Sequence, residues 1–224
     1  MVKPKFALRD TTERDRMYKK YSAEQLAFYH AIEDKLFIGC NACAGSGKTL
    51  VSLHCAIELL SQSKVSRVIY VRVPSDRDKK LGYLPGTLEE KCSILWAPAY
   101  DALMTLGMQK EAVEQLEEEQ QIFFTSDIGL RGCNLEKSVA IIDEAQNADV
   151  ESLRLILTRF KDDSHVVLIG DSLQNDNRNH KNDFEEYCDY MCEPAWGTKV
   201  TLTKNYRGKL SKRAENYGRN HEFS

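Results

Sequence analysis

Short apolar runs alternate with longer helix-forming stretches along most of the chain. The short runs are continuous rather than strictly alternating, which is typical of buried strands. They predict six strands, at residues 36–38, 65–73, 121–125, 139–142, 166–169 and 199–202. Continuous apolar strands separated by helices favour a mainly parallel sheet with helices on both faces. The pattern therefore predicts an α/β fold.

Helices are predicted between these strands. Ser22 is a good N-cap for a helix that continues to Ile32, because its hydroxyl can accept a backbone N–H of the first turn. Further helices are predicted at residues 50–60, 111–119 and 184–190, and the second of these is very acidic. Two stretches interrupt the alternation. We interpret residues 75–120 as an insertion and residues 172–198 as a long polar connection.

Composition sets the domain organisation and excludes some classes of protein. The 224 residues, 42% of them hydrophobic, suffice for one globular domain. We place it at residues 22–208, after a polar segment (1–21) and before a basic tail (209–224). No apolar run approaches the ~18 residues of a membrane span. The net charge of −3 shows no global basic excess, so a nucleic-acid site would have to be a local patch.

Seven cysteines are scattered through the chain, and no signal peptide precedes them. An odd number of this kind is expected for reduced thiols in a cytoplasmic protein. Cys40 and Cys43 have the spacing of a redox or metal pair. The alternative is that both are small buried side chains, since no second cysteine or histidine pair lies nearby.

A phosphate-binding loop follows the first strand. Residues 42–49 (ACAGSGKT) fit the pattern G-x-x-x-x-G-K-[ST], except that Ala42 replaces the first glycine. Glycines let backbone N–H groups surround phosphates, Lys48 reaches the β- and γ-phosphates, and Thr49 ligates magnesium. The alternative is a helix that merely begins with Gly-Lys-Thr after a turn. The residues predicted to bind ATP here are Ala44, Gly45, Ser46, Gly47, Lys48, Thr49 and Leu50.

An acidic pair ends the fourth predicted strand. Asp143 would hold Mg²⁺ through water, with Thr49 as the second metal residue, and Glu144 would orient and polarise the attacking water. Two acids after a strand could instead cap the next helix. The phosphate loop upstream favours the catalytic interpretation.

Two further polar residues follow strands. Gln174 is a candidate γ-phosphate sensor that Asp171 would orient, and the alternative is an ordinary Asp-Ser turn. Arg207, after the sixth strand, would stabilise transition-state charge in cis or in trans, and the alternative is a basic helix start away from the phosphates. The predicted catalytic set is therefore Lys48, Glu144, Gln174 and Arg207.

Taken together, these motifs resemble the PhoH-like family, in the short form common in phages, and more distantly the first motor domain of superfamily 1 helicases. The resemblance covers residues 22–207, and its most specific part is an insertion signature at residues 81–91 that continues over 98–103. Two departures exist: Val73-Pro74 stands where the family has proline after arginine, and the Asn205-Tyr206-Arg207 ending is closer to the helicases. The other matching segments are Gln25, 44–49, Arg72, Pro74, 130–132, 143–147 and 170–174.

The resemblance implies a RecA-like P-loop NTPase that binds ATP and Mg²⁺ and hydrolyses ATP. By the same resemblance, Gln25 would read adenine, and the chain would assemble as a homo-oligomeric ring such as a hexamer. It also implies action on RNA or single-stranded nucleic acid.

Three functional hypotheses stay open at this point. The first is an ATPase that acts on single-stranded RNA or DNA, for which two basic stretches (64–80 and 199–219) would form the track and Tyr83 and Trp96 could stack on bases. The alternatives to these features are solvated charges and simple packing. The second hypothesis is an ATP-dependent switch with a protein partner, and the third is a small-molecule phosphotransferase, which Glu144 disfavours.

Overall fold

A six-stranded sheet, in which every neighbouring pair is parallel, forms the centre of the protein. The structure is a computed structural model that describes residues 11–75, 88–130, 134–172, 174 and 183–215. The strand order is β3-β2-β4-β5-β1-β6. All six predicted strands are present. Their bounds are β1 Phe37–Ala42, β2 Arg67–Arg72, β3 Ile122–Ser126, β4 Ser138–Asp143, β5 His165–Gly170 and β6 Gly197–Leu202.

Helices pack on both faces of the sheet, as the continuous apolar strands predict. In β4, Ile141 belongs to an apolar cluster with α2, α3, α4 and α5, whereas the next residue, Ile142, belongs to a cluster with α6 and α7. Successive side chains of a strand point to opposite faces, so both must be apolar when both faces are covered. The helices of the described residues are α1 Thr12–Tyr18, α2 Ala23–Asp34, α3 Lys48–Ser61, α4 Leu88–Thr105, α5 Lys110–Glu118, α6 Val150–Leu157, α7 Phe184–Cys192 and α8 Lys209–Glu215.

The N-terminal segment is not a free tail over all of its length. Its helix α1 packs against the core through Met17 and Tyr18. Arg14 is almost fully buried, and its Nε lies 2.6 Å from Oε1 of Glu58 in α3. The polar composition of this segment did not predict that it packs on the core. A buried arginine needs a paired charge, and here the partner, Glu58, comes from a distant part of the chain.

The predicted insertion contains two helices that belong to the core. Ala99 and Leu103 of α4 are fully buried, and α5 buries Val113 and Leu116 while its acidic face is exposed. Residues 76–87, which hold the first part of the insertion signature and Tyr83, lie outside the described residues. Among the helices that the structure describes, none combines the length and the apolar character that a membrane span requires.

Candidate nucleotide-binding cleft

A cleft of about 660 Å³ opens at the carboxyl edge of the sheet, where the phosphate loop, β2 and β4 end. This edge is where ligands bind in open α/β sheets. The cleft contains most of the predicted site and several residues that were not predicted. Its lining consists of Ala44, Gly45, Gly47, Lys48, Thr49, Leu50, Arg72, Pro98, Asp101, Ala102, Thr105, Asp143, Glu144, Gln174, Tyr206 and Arg207.

The phosphate loop has a backbone that only glycine adopts readily at two positions. Gly45 (φ 69°) and Gly47 (φ 84°) are in the left-handed region. A Cβ on Gly45 would also lie 2.7 Å from Oδ1 of Asn205, so the loop is closely covered. Ser46 is the exception among the predicted loop residues. It is buried, its N–H donates to the carbonyl of Cys43, and its side chain is not brought to the cleft.

Helix α3 begins at the cleft. Lys48 and Thr49 are its first two residues, and the N-cap Gly47 offers no side chain to the N–H groups of the first turn. The partial positive charge of a helix N-terminus and an adjacent ammonium group together favour an anion of high charge, such as a polyphosphate.

Asp143 lies at the centre of a hydrogen-bond network. Its Oδ2 accepts from the Thr49 hydroxyl at 2.9 Å and from the Tyr70 hydroxyl at 2.7 Å, and its Oδ1 accepts from the Glu144 N–H at 2.9 Å. Burial, and then the charge of Asp143, raise the pKa of Tyr70, so this phenol stays a donor. A hydroxyl and a carboxylate oxygen in contact are the hard ligands that Mg²⁺ prefers, and these residues fit that ion.

Glu144 is held in a fixed position beside this network. Its backbone is left-handed (φ 57°), which is uncommon for a residue with a side chain. Its Oε2 accepts from Nε2 of Gln146 at 2.7 Å, and Oε1 of Gln146 accepts the N–H of Asp171 at 3.2 Å. A Cβ on Gly170 would lie 2.8 Å from Oε1 of Gln146. Gln146 thus ties the end of β4 to the end of β5 and orients the carboxylate.

Gln174 and Arg207 both reach the cleft of their own chain. The N–H of Gln174 donates to the Asp171 carbonyl at 3.0 Å. Tyr206 donates its N–H to the carbonyl of Gly45 at 2.9 Å, which holds the Arg207 side chain against the phosphate loop. The roles of Gln174 as a sensor and of Arg207 in charge stabilisation stay predictions.

Gln25 contacts the phosphate loop but does not line the cleft. Its Oε1 accepts from the Ser22 N–H, which completes a capping box of α2, and its Nε2 donates to the Ser46 carbonyl at 2.9 Å. Both ends of the amide are therefore bound within the chain. The reading of adenine by Gln25 stays a prediction, and it would require these bonds to change.

Several cleft residues were missed by the sequence reasoning. The rule that found Asp143, a polar residue at the carboxyl end of a parallel strand, also applies to Arg72, the last residue of β2. No local signal places Asp101 and Thr105 of α4 in the cleft, because that depends on how α4 packs against α3 and β2.

The structure describes the surroundings of five cysteines, and three of them are buried. Cys40 and Cys55 are fully buried, and burial raises the pKa of both thiols. Among the described residues, no three His, Cys, Asp or Glu side chains are grouped so that they could hold a metal ion. Cys40 is therefore a packed core side chain, whereas Cys43 is partly buried.

The fold and the cleft together define a P-loop NTPase domain of RecA-like topology. Comparison with known families is more specific. The family model "PhoH-like protein" matches residues 17–207. The chain belongs to the PhoH-like protein family.

Two relatives illustrate the match. A PhoH-like protein of Mycobacterium leprae is 32% identical over 163 residues, which are 73% of this chain and 46% of the relative. Protein PhoH of Escherichia coli K12 is 35% identical over 153 residues, 68% of this chain and 43% of the relative. The chain spans about half the length of the curated relatives it matches.

Solved structures bear out the fold. The large terminase of a thermophilic bacteriophage is 13% identical, with a TM-score of 0.54 over 88% of this chain and 50% of the terminase. The same terminase in complex with ADP gives a TM-score of 0.50 at 13% identity, over 88% of this chain and 49% of the terminase. At this identity the likeness concerns the fold alone.

Proposed function

We propose that the chain binds ATP with Mg²⁺ in the cleft, hydrolyses it, and couples hydrolysis to single-stranded nucleic acid, RNA in the first place. The observation that carries the proposal is the contact between Thr49 and Asp143 (2.9 Å) directly beside Lys48 and Glu144. Hydrolysis of a nucleoside triphosphate needs these four groups within reach of one phosphate.

Each group has a defined task. Lys48 and the N–H groups at the start of α3 bind the β- and γ-phosphates, and Thr49 and Asp143 hold Mg²⁺. When bound, the ion neutralises the charge that develops on the phosphate oxygens. Glu144 accepts a proton from the attacking water, and Gln146 keeps its carboxylate in place at 2.7 Å.

An exposed basic rim beside the cleft supports the choice of nucleic acid. We define the rim as Lys204, Arg207, Lys209, Lys212 and Arg213. The side chain of Asn205 fastens it to the site, because its Nδ2 donates to the Ser211 hydroxyl of α8 at 2.8 Å while its Oδ1 accepts the Arg207 N–H. Cations beside a nucleotide site can bind the phosphates of a nucleic-acid strand, and ATP binding could then change the position of that strand.

Not every basic residue of the predicted track contributes. Lys199 pairs with Asp189 at 2.6 Å, which neutralises it locally. Trp96 packs against Phe124 in the core rather than standing free for base stacking. Residues 76–80 and 216–219 of the predicted track lie outside the described residues, so the proposal rests on the rim.

We further propose that the chain works as a homo-oligomer, such as the hexameric ring that the family resemblance implies. A motor that moves along a nucleic-acid strand needs two binding surfaces whose positions change relative to each other. A neighbouring copy would supply the second surface and would bring a second basic rim close to the strand.

A second candidate function is an ATP-dependent switch with slow turnover and a protein partner. The observation that favours it is the hydrogen bond from Gln146, which engages one oxygen of the base. In this case ATP binding, rather than repeated hydrolysis, would carry the signal.

The test is the steady-state ATPase rate of the wild type and of Glu144→Gln, with and without single-stranded RNA, at low and high salt. We expect RNA to raise the rate, high salt to remove this increase because phosphate contacts are screened, and Glu144→Gln to lower the rate about 100-fold or more while ATP stays bound. A slow rate that is indifferent to RNA would favour the switch. A fully active Glu144→Gln variant would refute the base.

A further inference from the structure

Arg72 occupies a position in the cleft that the proposed hydrolysis does not use. It is the last residue of β2 and lines the cleft together with Lys48 and Glu144. In the sheet it is the direct partner of Asp143 on β4. β2 lies on the side of β4 that is farther from the phosphate loop. A phosphate that reaches Arg72 must therefore be the outermost one of the nucleotide.

The guanidinium of Arg72 is poorly compensated in the protein. Its Nη1 donates to the Leu95 carbonyl at 3.3 Å, which is long for a hydrogen bond. Its Nε is shielded from solvent and has no hydrogen-bond partner in the part of the chain that the structure describes. No carboxylate of the described residues lies within ion-pair distance of it. A half-buried permanent cation in this state favours an anion beside it.

Within the described ranges, the side chain of Arg72 is hydrogen-bonded to α4. Leu95 lies in the turn that precedes Pro98, and a proline loosens the backbone bonding of that turn because it has no N–H and its ring crowds the earlier carbonyl. Pro98, Asp101 and Thr105 of the same helix line the cleft. The wall that α4 forms is therefore tied to the position of the Arg72 guanidinium.

An aromatic cluster continues this connection. Trp96, next to Leu95, has its ring 6.1 Å from that of Phe124. Phe124 lies 6.2 Å from Tyr70, whose hydroxyl binds Asp143. A change at the end of β2 or in α4 will alter the surroundings of Trp96, which makes this tryptophan a local reporter.

We propose that Arg72, in addition to the sensor predicted at Gln174, is a residue by which the chain distinguishes ATP from ADP. Its guanidinium binds the γ-phosphate within the same chain. A guanidinium has five N–H donors, so Nη1 can stay on the Leu95 carbonyl while other donors meet phosphate oxygens. The presence of the γ-phosphate thereby sets the position of α4. This inference rests on the proposed function, since the γ-phosphate is its ligand.

The test measures binding and the fluorescence of Trp96 without turnover. The chain contains two tryptophans, and Trp196 lies on a separate groove at the opposite edge of the sheet. In a Trp196→Phe background, Mg²⁺ with AMPPNP, a non-hydrolysable ATP analogue, and Mg²⁺ with ADP are titrated separately. We expect the two nucleotides to give different Trp96 emission.

The decisive variant is Arg72→Gln, which removes the positive charge and the planar set of N–H donors of the guanidinium. We expect the affinity for AMPPNP relative to ADP to fall about tenfold or more, as for the loss of a charge-assisted bond, and the two Trp96 signals to coincide. ADP affinity should stay within about twofold, because the β-phosphate contacts of Lys48 are unchanged. Arg67→Gln is the matched control, since Arg67 begins the same strand and lies over the Phe123 ring rather than in the cleft.

The outcomes separate the inference from the proposed function. If Arg72→Gln keeps the preference for AMPPNP, or loses both nucleotides equally, the sensor role is wrong. If Arg72→Gln does not fold, Arg72→Met decides, because it keeps an unbranched side chain but has neither the charge nor the N–H donors, and an undiminished preference for AMPPNP would overturn the role. A parent chain that binds neither nucleotide would overturn the proposed function, and the sensor with it.

Discussion

In the part of the chain that the structure describes, two buried tyrosines have their hydroxyls hydrogen-bonded to a polar side chain, and for one of them that partner lines the candidate cleft. Tyr70 donates to the Asp143 carboxylate at 2.7 Å at the edge of the cleft. The Tyr21 hydroxyl meets Nδ1 of His54 at 2.9 Å beneath α1. In the first pair, Asp143 lines a cleft that also contains cations and other carboxylates. In the second pair, Tyr21 packs against the rings of Tyr18, Tyr29 and His54.

The enclosed pair is part of a histidine–tyrosine cluster between α1, α2 and α3. The rings of Tyr18, Tyr21 and Tyr29 each lie within 6.5 Å of the His54 ring, and His54 is 2% exposed. Here the Tyr21 hydroxyl and the His54 imidazole bond to each other, and neither residue lines the cleft. The comparison teaches that a buried hydrogen-bonded pair indicates a site only when it borders open space, and Thr49, Glu144 and the two left-handed glycines provide that border at Asp143.

Of the changes that distinguish the cleft from the histidine–tyrosine cluster, Lys48→Ala is expected to have the largest effect, on nucleotide affinity. Loss of the ammonium group removes a charge-assisted contact with the β- and γ-phosphates, so nucleotide affinity should fall about 100-fold or more, roughly 3 kcal/mol. The melting temperature should change little, since Lys48 is only partly buried. Isothermal titration with AMPPNP and a thermal melt check both statements. The control is Lys64→Ala, because Lys64 is exposed beyond the end of α3. Tight binding of AMPPNP by Lys48→Ala would contradict the assignment of the cleft as a nucleotide site.

A smaller effect, on stability alone, is expected in the enclosed cluster. Burial, and then the nearby charge of Arg14, lower the pKa of His54 from 6.5 to about 4. Between these values the unfolded chain binds a proton that the folded chain does not. The contribution of His54 to the free energy of unfolding is therefore complete above pH 6.5. Between pH 6.5 and pH 4 the free energy of unfolding falls by about 1 kcal/mol per pH unit.

Denaturant unfolding of the wild type and His54→Gln at pH 7, 6 and 5 measures this slope. The variant should flatten it and leave nucleotide affinity unchanged. His30→Gln, at the exposed edge of the same cluster, is the control. An unaltered slope in His54→Gln would mean that other groups carry the acid sensitivity.

The smallest effect is expected from removing the Tyr70 hydroxyl. Tyr70→Phe keeps the ring and deletes one donor to Asp143, so Mg²⁺ should bind the nucleotide complex about fivefold more weakly, roughly 1 kcal/mol. Tyr21→Phe makes the same change in the enclosed cluster and should leave Mg²⁺ affinity alone while lowering stability. Mg²⁺ titrations at saturating ADP compare the two variants. Equal Mg²⁺ affinity in Tyr70→Phe and Tyr21→Phe would show that the Tyr70 hydroxyl does not contribute to Mg²⁺ binding in the cleft.

Much of this architecture was predictable because its signals are local. The strands are continuous apolar runs, Ser22 and Gln25 form a capping box three residues apart, and the phosphate loop is one contiguous stretch. Asp143 could be placed beside Thr49, 94 positions away, because parallel strands end at the same edge of a sheet.

Other features depend on contacts between distant parts of the chain. Arg14 is buried because Glu58 neutralises it, and nothing near Arg14 in the sequence indicates that partner. Ser46 is buried inside the phosphate loop, where Gln25 donates to its carbonyl, and its side chain does not line the cleft; its part in ATP binding stays a prediction. Motif matching assigns a residue type to a ligand, whereas burial decides whether its side chain can reach that ligand.

The sequence by itself determined the parallel α/β sheet, the loop with Lys48 and Thr49, and the acidic strand end. Each of these follows from periodicity or from a spacing of a few residues. Only the tertiary structure decided that Tyr70 fixes Asp143 and that α4, with Arg72 tied to Leu95, forms a wall of the cleft. The physical reason is that a helix packs by the shape and apolar face it presents to the sheet, so which of its polar residues reach a site is settled by that packing.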